Sequence, residues 1–333
     1  MLSRSANCLY WMGRYLERAE NLARLVDVNS QFLLEIESAP GFGEDDGWLP
    51  ILEVAHLDEL FEARRKLSSA LSPLEFLCLS PANPDSICGC IAQARENARM
   101  VRDQVSEEMW RELNRLHLFL RSDLARDEWH YDLQDFCERI INFSLLFQGI
   151  TDSTIGHDEG WRFIQLGKYL ERADKTTRIL DIPHHLSGHL KAAPWPTVLR
   201  ACSARSAFLA AHGATTSKEK TASLLLFSDS FPRSVRFCLN KVDETLHGIS
   251  GSPRGMHTNE AERLAGSALA SVDFNGPQDL ATLGLHAYAD RLQTEFNAIG
   301  KQIFENYVLL PSEIKHAPPP LFHTMQQAQQ VQQ

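Results

Sequence analysis

No run of apolar residues in this chain approaches the ~20 that a membrane-spanning helix needs. The first residues, Met1-Leu2-Ser3-Arg4-Ser5, lack the basic, apolar and cleavage regions of a secretory signal. The cytoplasm is therefore the expected location. Basic excess is missing as well: the formal net charge is −10, which argues against a nucleic-acid partner, whose phosphates demand a basic face. Arg95, Arg99 and Arg102 do cluster, but they share a helical stretch with Glu96 and Asp103, so an ion-paired face is expected there. The seven cysteines are scattered, and only Cys88 and Cys90 are close. That spacing is neither Cys-x-x-Cys nor a zinc knuckle, so reduced, structural thiols are expected.

Signatures of cofactor chemistry are absent too. There is no Gly-x-x-x-x-Gly-Lys-Ser/Thr loop, no Gly-x-Gly-x-x-Gly, no His-Glu-x-x-His, no Gly-x-Ser-x-Gly and no doubled Glu-x-x-His. His184 and His185, followed by His189, would put imidazoles at i and i+4 on a helix. Pro183 and Gly188 instead suggest a turn, and no carboxylate or cysteine completes a ligand set. Neither a cofactor nor a metal is assigned.

What the chain does have is a repeat. The segment from Gly13 to Val28 returns from Gly167 to Ile182 with eight of 16 positions identical. Shared by both are the glycine, a Tyr-Leu-Glu-Arg-Ala core and a later arginine: Gly13, Glu17, Arg18 and Arg24 in the first, Gly167, Glu171, Arg172 and Arg178 in the second. Arg14 becomes Lys168. A second pair of segments, Leu77–Ile87 and Leu225–Val235, aligns loosely, each running from an apolar stretch through a polar turn to Pro-x-Ser-aliphatic. Order and separation are kept, so the chain reads as two diverged copies of one unit, about residues 1–152 and 153–310, with approximate two-fold symmetry. The Pro- and Gln-rich tail, 311–333, reads as disordered.

Nearly every periodic stretch is helical, and the expected fold is an all-α bundle. Leu9, Met12, Leu16, Ala19, Ala23 and Val26 recur at three and four residues, a core-facing stripe. Further helices are expected over 49–69, from Pro84 (with Asn83 as N-cap) to Val105, and over 107–120, 132–151 and 159–180, the last behind Asp158 as N-cap. In the second part they are expected over 197–211, 217–227, 232–247, 259–272 and from Asn275-Gly276-Pro277 to Leu309. Ser223–Phe227 alone is ambiguous with a strand. The loop around Pro40-Gly41-Phe42-Gly43 is a break, and Pro183, Gly188, Pro194 and Pro196 look like a joint between the copies.

On a helix Arg14, Glu17 and Arg18 share one sector beside the apolar stripe, which puts charge at a helix–helix boundary. A recurring mid-helix glycine, unfavourable by ~1 kcal/mol against alanine, implies close approach of another backbone or of a ligand. Two readings follow. Glu-Arg pairs can stitch the copies together, an Arg fork satisfying a carboxylate bidentately. Alternatively, Arg14, Arg18, Arg24, Lys168, Arg172 and Arg178 line a polar groove that holds an anionic group, with Glu17 and Glu171 orienting the cations or acting as general acid–base.

The block Leu9-Tyr10-Trp11-Met12-Gly13-Arg14-Tyr15-Leu16-Glu17-Arg18-Ala19-Glu20-Asn21 resembles the opening of the bacterial alpha-E domain family. Gly160-Trp161-Arg162-Phe163, with Leu166-Gly167 and Leu170-Glu171-Arg172-Ala173, is similar to that family's second signature. Pro84-x-Ser86-Ile87, Ala94-Arg95-Glu96-Asn97-Ala98-Arg99, Trp110 and Leu113-Asn114 fit the stretch between, so the resemblance reaches about Leu310. It implies an all-helical domain without an assigned reaction, encoded beside or fused to circularly permuted ATP-grasp and transglutaminase-like proteins. The implied role is a helical partner of an ATP-grasp-type peptide or amide ligase system, binding a peptide, an anionic intermediate or the ligase. An amide-forming or amide-cleaving enzyme built on Glu17 or Glu171, and a scaffold that forms a homodimer, are the alternatives. Lys168 departs from the family's usual arginine and keeps the cation without the fork.

Overall fold

The stripe of the first helix goes where its spacing directs it: Leu9, Met12, Leu16, Ala19, Ala23 and Val26 are all buried. They lie on α1 (Ser3–Ile36) of a computed structural model that describes residues 1–36, 45, 47–68, 70–185 and 195–308. Against α1 lies α9 (Glu159–His185), buried along most of its length and on all sides. Such a helix belongs at the centre of a bundle rather than on its surface.

The other long helices surround this pair. α1 packs on α5 (Ile87–Met100) and α8 (Leu133–Thr154), which are bridged by α6 (Glu107–Leu120). α9 packs on α13 (Val235–Ser250) and α16 (Leu285–Tyr307), which are bridged by α14 (Glu260–Phe274). Shorter helices complete the set: α2 (Leu49–Ala55), α3 (Asp58–Arg65), α4 (Pro73–Cys78), α7 (Asp123–Tyr131), α10 (Trp195–Ala201), α11 (Arg205–His212), α12 (Lys218–Phe227) and α15 (Gly276–Leu283). The described residues contain no strand, and the ambiguous segment 223–227 is helical, within α12. No helix among them is long and apolar enough to cross a membrane.

Several boundaries differ from expectation. Pro84 does not open α5. The buried Asn83 accepts from the Asp85 amide at 3.0 Å and donates to the Phe76 carbonyl at 3.0 Å, fixing a turn, and Ser86 caps the helix through the Gly89 amide at 3.0 Å. The expected 197–211 helix breaks at Ser203, whose φ is 53°. The last one breaks at Gly284, whose φ of 82° only glycine adopts easily. α9 continues through Pro183, which lies two residues from its end, so the lost backbone bond is confined to the last turn. Pro196 lies in α10. Gly188, His189, Pro194, the loop 40–43 and the tail from Pro311 lie outside the described residues. All seven thiols are free, and burial raises the pKa of each.

Candidate functional site

At Gly13 and Gly167 the two central helices come close enough for backbone to touch backbone. A Cβ on Gly13 would sit 2.5 Å from the Ile164 carbonyl oxygen, and one on Gly167 would run into the carbonyl of Tyr10. The recurring glycine marks the approach of another helix. One turn further on, each helix presents its glutamate to the other's arginine.

The exchange is reciprocal. Arg172 grips Glu17 with both arms of its fork, Nε to Oε1 at 2.8 Å and Nη2 to Oε2 at 2.7 Å. Arg18 grips Glu171 in the same way at 2.7 and 3.2 Å, and Arg14 Nε adds a bond to Glu171 at 2.5 Å. Both glutamates are essentially sealed, at 1% and 0% exposure. Additional partners saturate them. Asn21 donates to Glu17 at 3.0 Å and Arg233 at 3.1 Å, while Lys175 approaches Glu171 at 3.6 Å. Burial alone would raise both carboxyl pKa values, but the guanidiniums outweigh it: Arg172 and Arg233 hold Glu17, and Arg14 and Arg18 hold Glu171, well below the ordinary carboxylate range.

The second-tier pairs match as well. Arg24 closes on Glu20 at 2.8 Å and Arg178 on Asp174 at 2.8 Å, each one turn back on its own helix. Arg24 also reaches the Ser203 hydroxyl at 2.7 Å, and Arg178 the Val54 carbonyl at 3.3 Å. Glu20 is further bound by Ser144 at 2.6 Å and by Arg233. Asp85 pairs with Arg18. Thus Arg14, Glu17, Arg18, Arg24, Glu171, Arg172 and Arg178 all join a pair of largely buried ion clusters at the α1–α9 crossing, one around Glu17 and one around Glu171. Asp85, Glu20, Asp174, Lys175 and Arg233 belong to them without having been singled out as site residues. Asp85 and Arg233 occupy the same place in the two Pro-x-Ser segments, the one legible signal for them.

Lys168 stands apart. It is 8% exposed, and its Nζ lies over a π face, 4.5 Å from the Tyr169 ring centre. Among the described residues it makes no hydrogen bond or ion pair. Burial first, and then the Arg172 charge, push its pKa down to about 8. It lines a cavity of about 20 Å³ with Glu17, Ser144, Gln148, Thr151 and Gln165, about the room of one water.

Other expected features resolve simply. Arg95 and Arg99 pair with Glu96 at 2.8 Å, and Arg95 and Arg102 lie over Trp110. Asp158 accepts from the Gly160 amide at 2.9 Å, as a capping residue does. The histidine segment needs correcting. His184 and His185 are helical, not in a turn, and a carboxylate does stand beside His185: Asp181, four residues back on the same face, with His286 of α16 opposite.

A Glu-Arg motif in a helical domain is also what a known family description names. A family described as a predicted alpha-helical domain with a conserved ER motif matches residues 1–308. The chain belongs to the Alpha-E family. An uncharacterized protein of Mycobacterium bovis and two of Mycobacterium tuberculosis are each 25% identical to it over 304 residues. These matches cover 86% of this chain and 34% of each relative, so the chain spans about a third of the length of the curated relatives it matches. No solved structure matches it.

Proposed function

We propose that this Alpha-E chain is a helical accessory protein of an ATP-grasp-type peptide or amide ligase system. It takes an anionic group, either of a peptide or intermediate or of the ligase itself, at Lys168 beside the Glu-Arg crossing. One observation carries this reading: at the crossing every arginine of the motif contacts a carboxylate, whereas Lys168 is buried with none in contact, Asp152 and Glu17 acting on its charge only from further away. A buried ammonium without a carboxylate in contact is costly, and an incoming carboxylate or phosphoryl oxygen would relieve that cost. The cavity admits only such a tip, so the body of the ligand would lie outside, against Gln148 and Gln165.

The role beside a ligase is what the family resemblance implies, and the length of the mycobacterial relatives outside the matched segment fits a module that works attached to other domains. The duplication belongs to the same proposal. It is supported by the repeated segments, the reciprocal ion pairs and the like ring of contacts, α1-α5-α6-α8 against α9-α13-α14-α16. General acid–base catalysis by Glu17 or Glu171 has less support. A carboxylate held ionised by two or three cations is far from the near-neutral pKa that such work requires.

Isothermal titration tests the proposal, with wild type and Lys168→Met each titrated with the neighbouring ATP-grasp protein and with a short peptide as free acid and as amide. Binding by wild type that falls at least tenfold in Lys168→Met is expected, with the acid preferred if the ligand is a peptide. Equal binding by wild type and variant, or no binding by either, would overturn it.

A further inference from the structure

Away from the crossing, at the last turn of α9, three side chains from two helices converge on one point. Asp181 and His185 are one turn apart on α9 and share a face. His286 comes from the first turn of α16. Asp181 Oδ2 lies 3.2 Å from His185 Nε2 and 2.8 Å from His286 Nδ1. One ligand atom from each of the three residues lies within 4.8 Å of the others. In a tetrahedral site with metal–ligand bonds of about 2.0–2.1 Å, ligand atoms stand roughly 3.3 Å apart. Asp181 is thus already at about that spacing from both histidines, and the two histidines' ligand atoms lie within 4.8 Å of each other.

The far side of each ring is also occupied. His185 Nδ1 faces Glu53 Oε2 at 2.9 Å, and His286 Nε2 faces Asp290 Oδ2 at 3.5 Å. Each imidazole therefore has a carboxylate at both nitrogens. A neutral imidazole carries one N–H and one lone pair, so one of its two carboxylates must face the lone pair. Two added protons would also remove that conflict, placing two imidazolium rings among the three carboxylates Asp181, Glu53 and Asp290. One of these rings, His286, is stacked at 3.9 Å on a third imidazole, His184. A single cation among the inner atoms removes the conflict with both rings neutral. The inner lone pairs bind the metal, and the outer N–H groups donate to Glu53 and Asp290, the arrangement that orients metal-bound histidines.

We infer that Asp181, His185 and His286 form a binding site for a divalent cation of the zinc class, with Glu53 and Asp290 as its supporting carboxylates. Nitrogen and carboxylate donors without thiolate suit zinc or cobalt. Three protein ligands leave a fourth position for water or a ligand. The His286 side chain is 42% exposed, so the ion has a route in. The metal would also join α9 to α16 and, through Glu53, to α2. This site is independent of the Lys168 pocket, and each can fail without the other.

The test is titration of chelator-treated full-length protein with cobalt(II) alone, followed by visible absorption, with zinc(II) as competitor. Wild type is expected to bind one equivalent, with the intense d–d bands of a four-coordinate site and no thiolate charge-transfer band. Substitution of the exposed ligand, His286→Ala, should weaken binding by at least tenfold without unfolding the protein, and Glu53→Gln by about tenfold. Wild type that binds no stoichiometric cobalt, a thiolate band, or binding that His286→Ala leaves unchanged would overturn the inference.

Discussion

At the level of single residues, Lys168 and Arg172 show how four positions along one helix can separate a paired charge from an unpaired one. Arg172 is as buried as Lys168, yet its fork is filled by Glu17, so its charge is neutralised inside the protein. Lys168 carries a charge that no carboxylate contacts directly, and the pull of Asp152 and Glu17 does not offset its burial. The consequence for stability has a definite sign. Its pKa is about 8 when folded and 10.5 in the ordinary state, so between those values the unfolded chain binds more protons and this group makes stability rise with pH. Lys168→Met is expected to stabilise the ligand-free protein by about 1–3 kcal/mol at pH 7. The difference from wild type should shrink as pH climbs from 8 towards 10.5. Urea unfolding at several pH values measures it, and comparison with the variant cancels the titration of the buried thiols. A difference that is constant or grows with pH would contradict the assigned environment.

At the level of elements, the closeness of α1 and α9 rests on two glycines. In an ordinary helix interior, glycine to alanine gains up to ~1 kcal/mol. At the crossing Gly167→Ala is expected to do the reverse and lose about 2 kcal/mol or more, because its Cβ meets backbone that cannot turn away. A melting temperature equal to or above that of wild type would show that the helices can separate at little cost.

The same two helices show which elements were legible. Their apolar spacing and the recurrence of Gly-x-Tyr-Leu-Glu-Arg-Ala made both of them and their boundary position readable, since these patterns are local. Two short helices escaped. α4 is announced by Ser72, Pro73 and Glu75, with Ser72 accepting from the Glu75 amide, and α7 by Ser122 accepting from the Ala125 amide. In so short a helix the cap is a stronger signal than any apolar stripe. The start of α5 was misplaced because Asn83-Pro84 imitates a cap, whereas the turn is held by the long-range bond to Phe76. His286 could not be joined to Asp181 from sequence, because 105 residues separate them and only the packing of α16 on α9 brings them together.

At the level of the whole molecule, the pair α1–α9 joins two groups of helices, and the charge network is sealed at that joint. Buried pairs of this kind add little net stability over an apolar interface, but they penalise every register except the one that satisfies them. The glycines set the distance, the forks set the register, and the paired Pro-x-Ser segments bring Asp85 and Arg233 in from either side.

The central claim is that the Glu-Arg motif is an internal joint and not an open anion site. Urea unfolding of ligand-free Arg172→Met beside wild type at pH 7.5 tests it most directly. Removing one partner of a buried pair costs about 3–5 kcal/mol, and with Arg233 and Asn21 still holding Glu17 the predicted loss is about 3 kcal/mol. A variant within ~0.5 kcal/mol of wild type, the range of an ordinary surface substitution, would contradict the account.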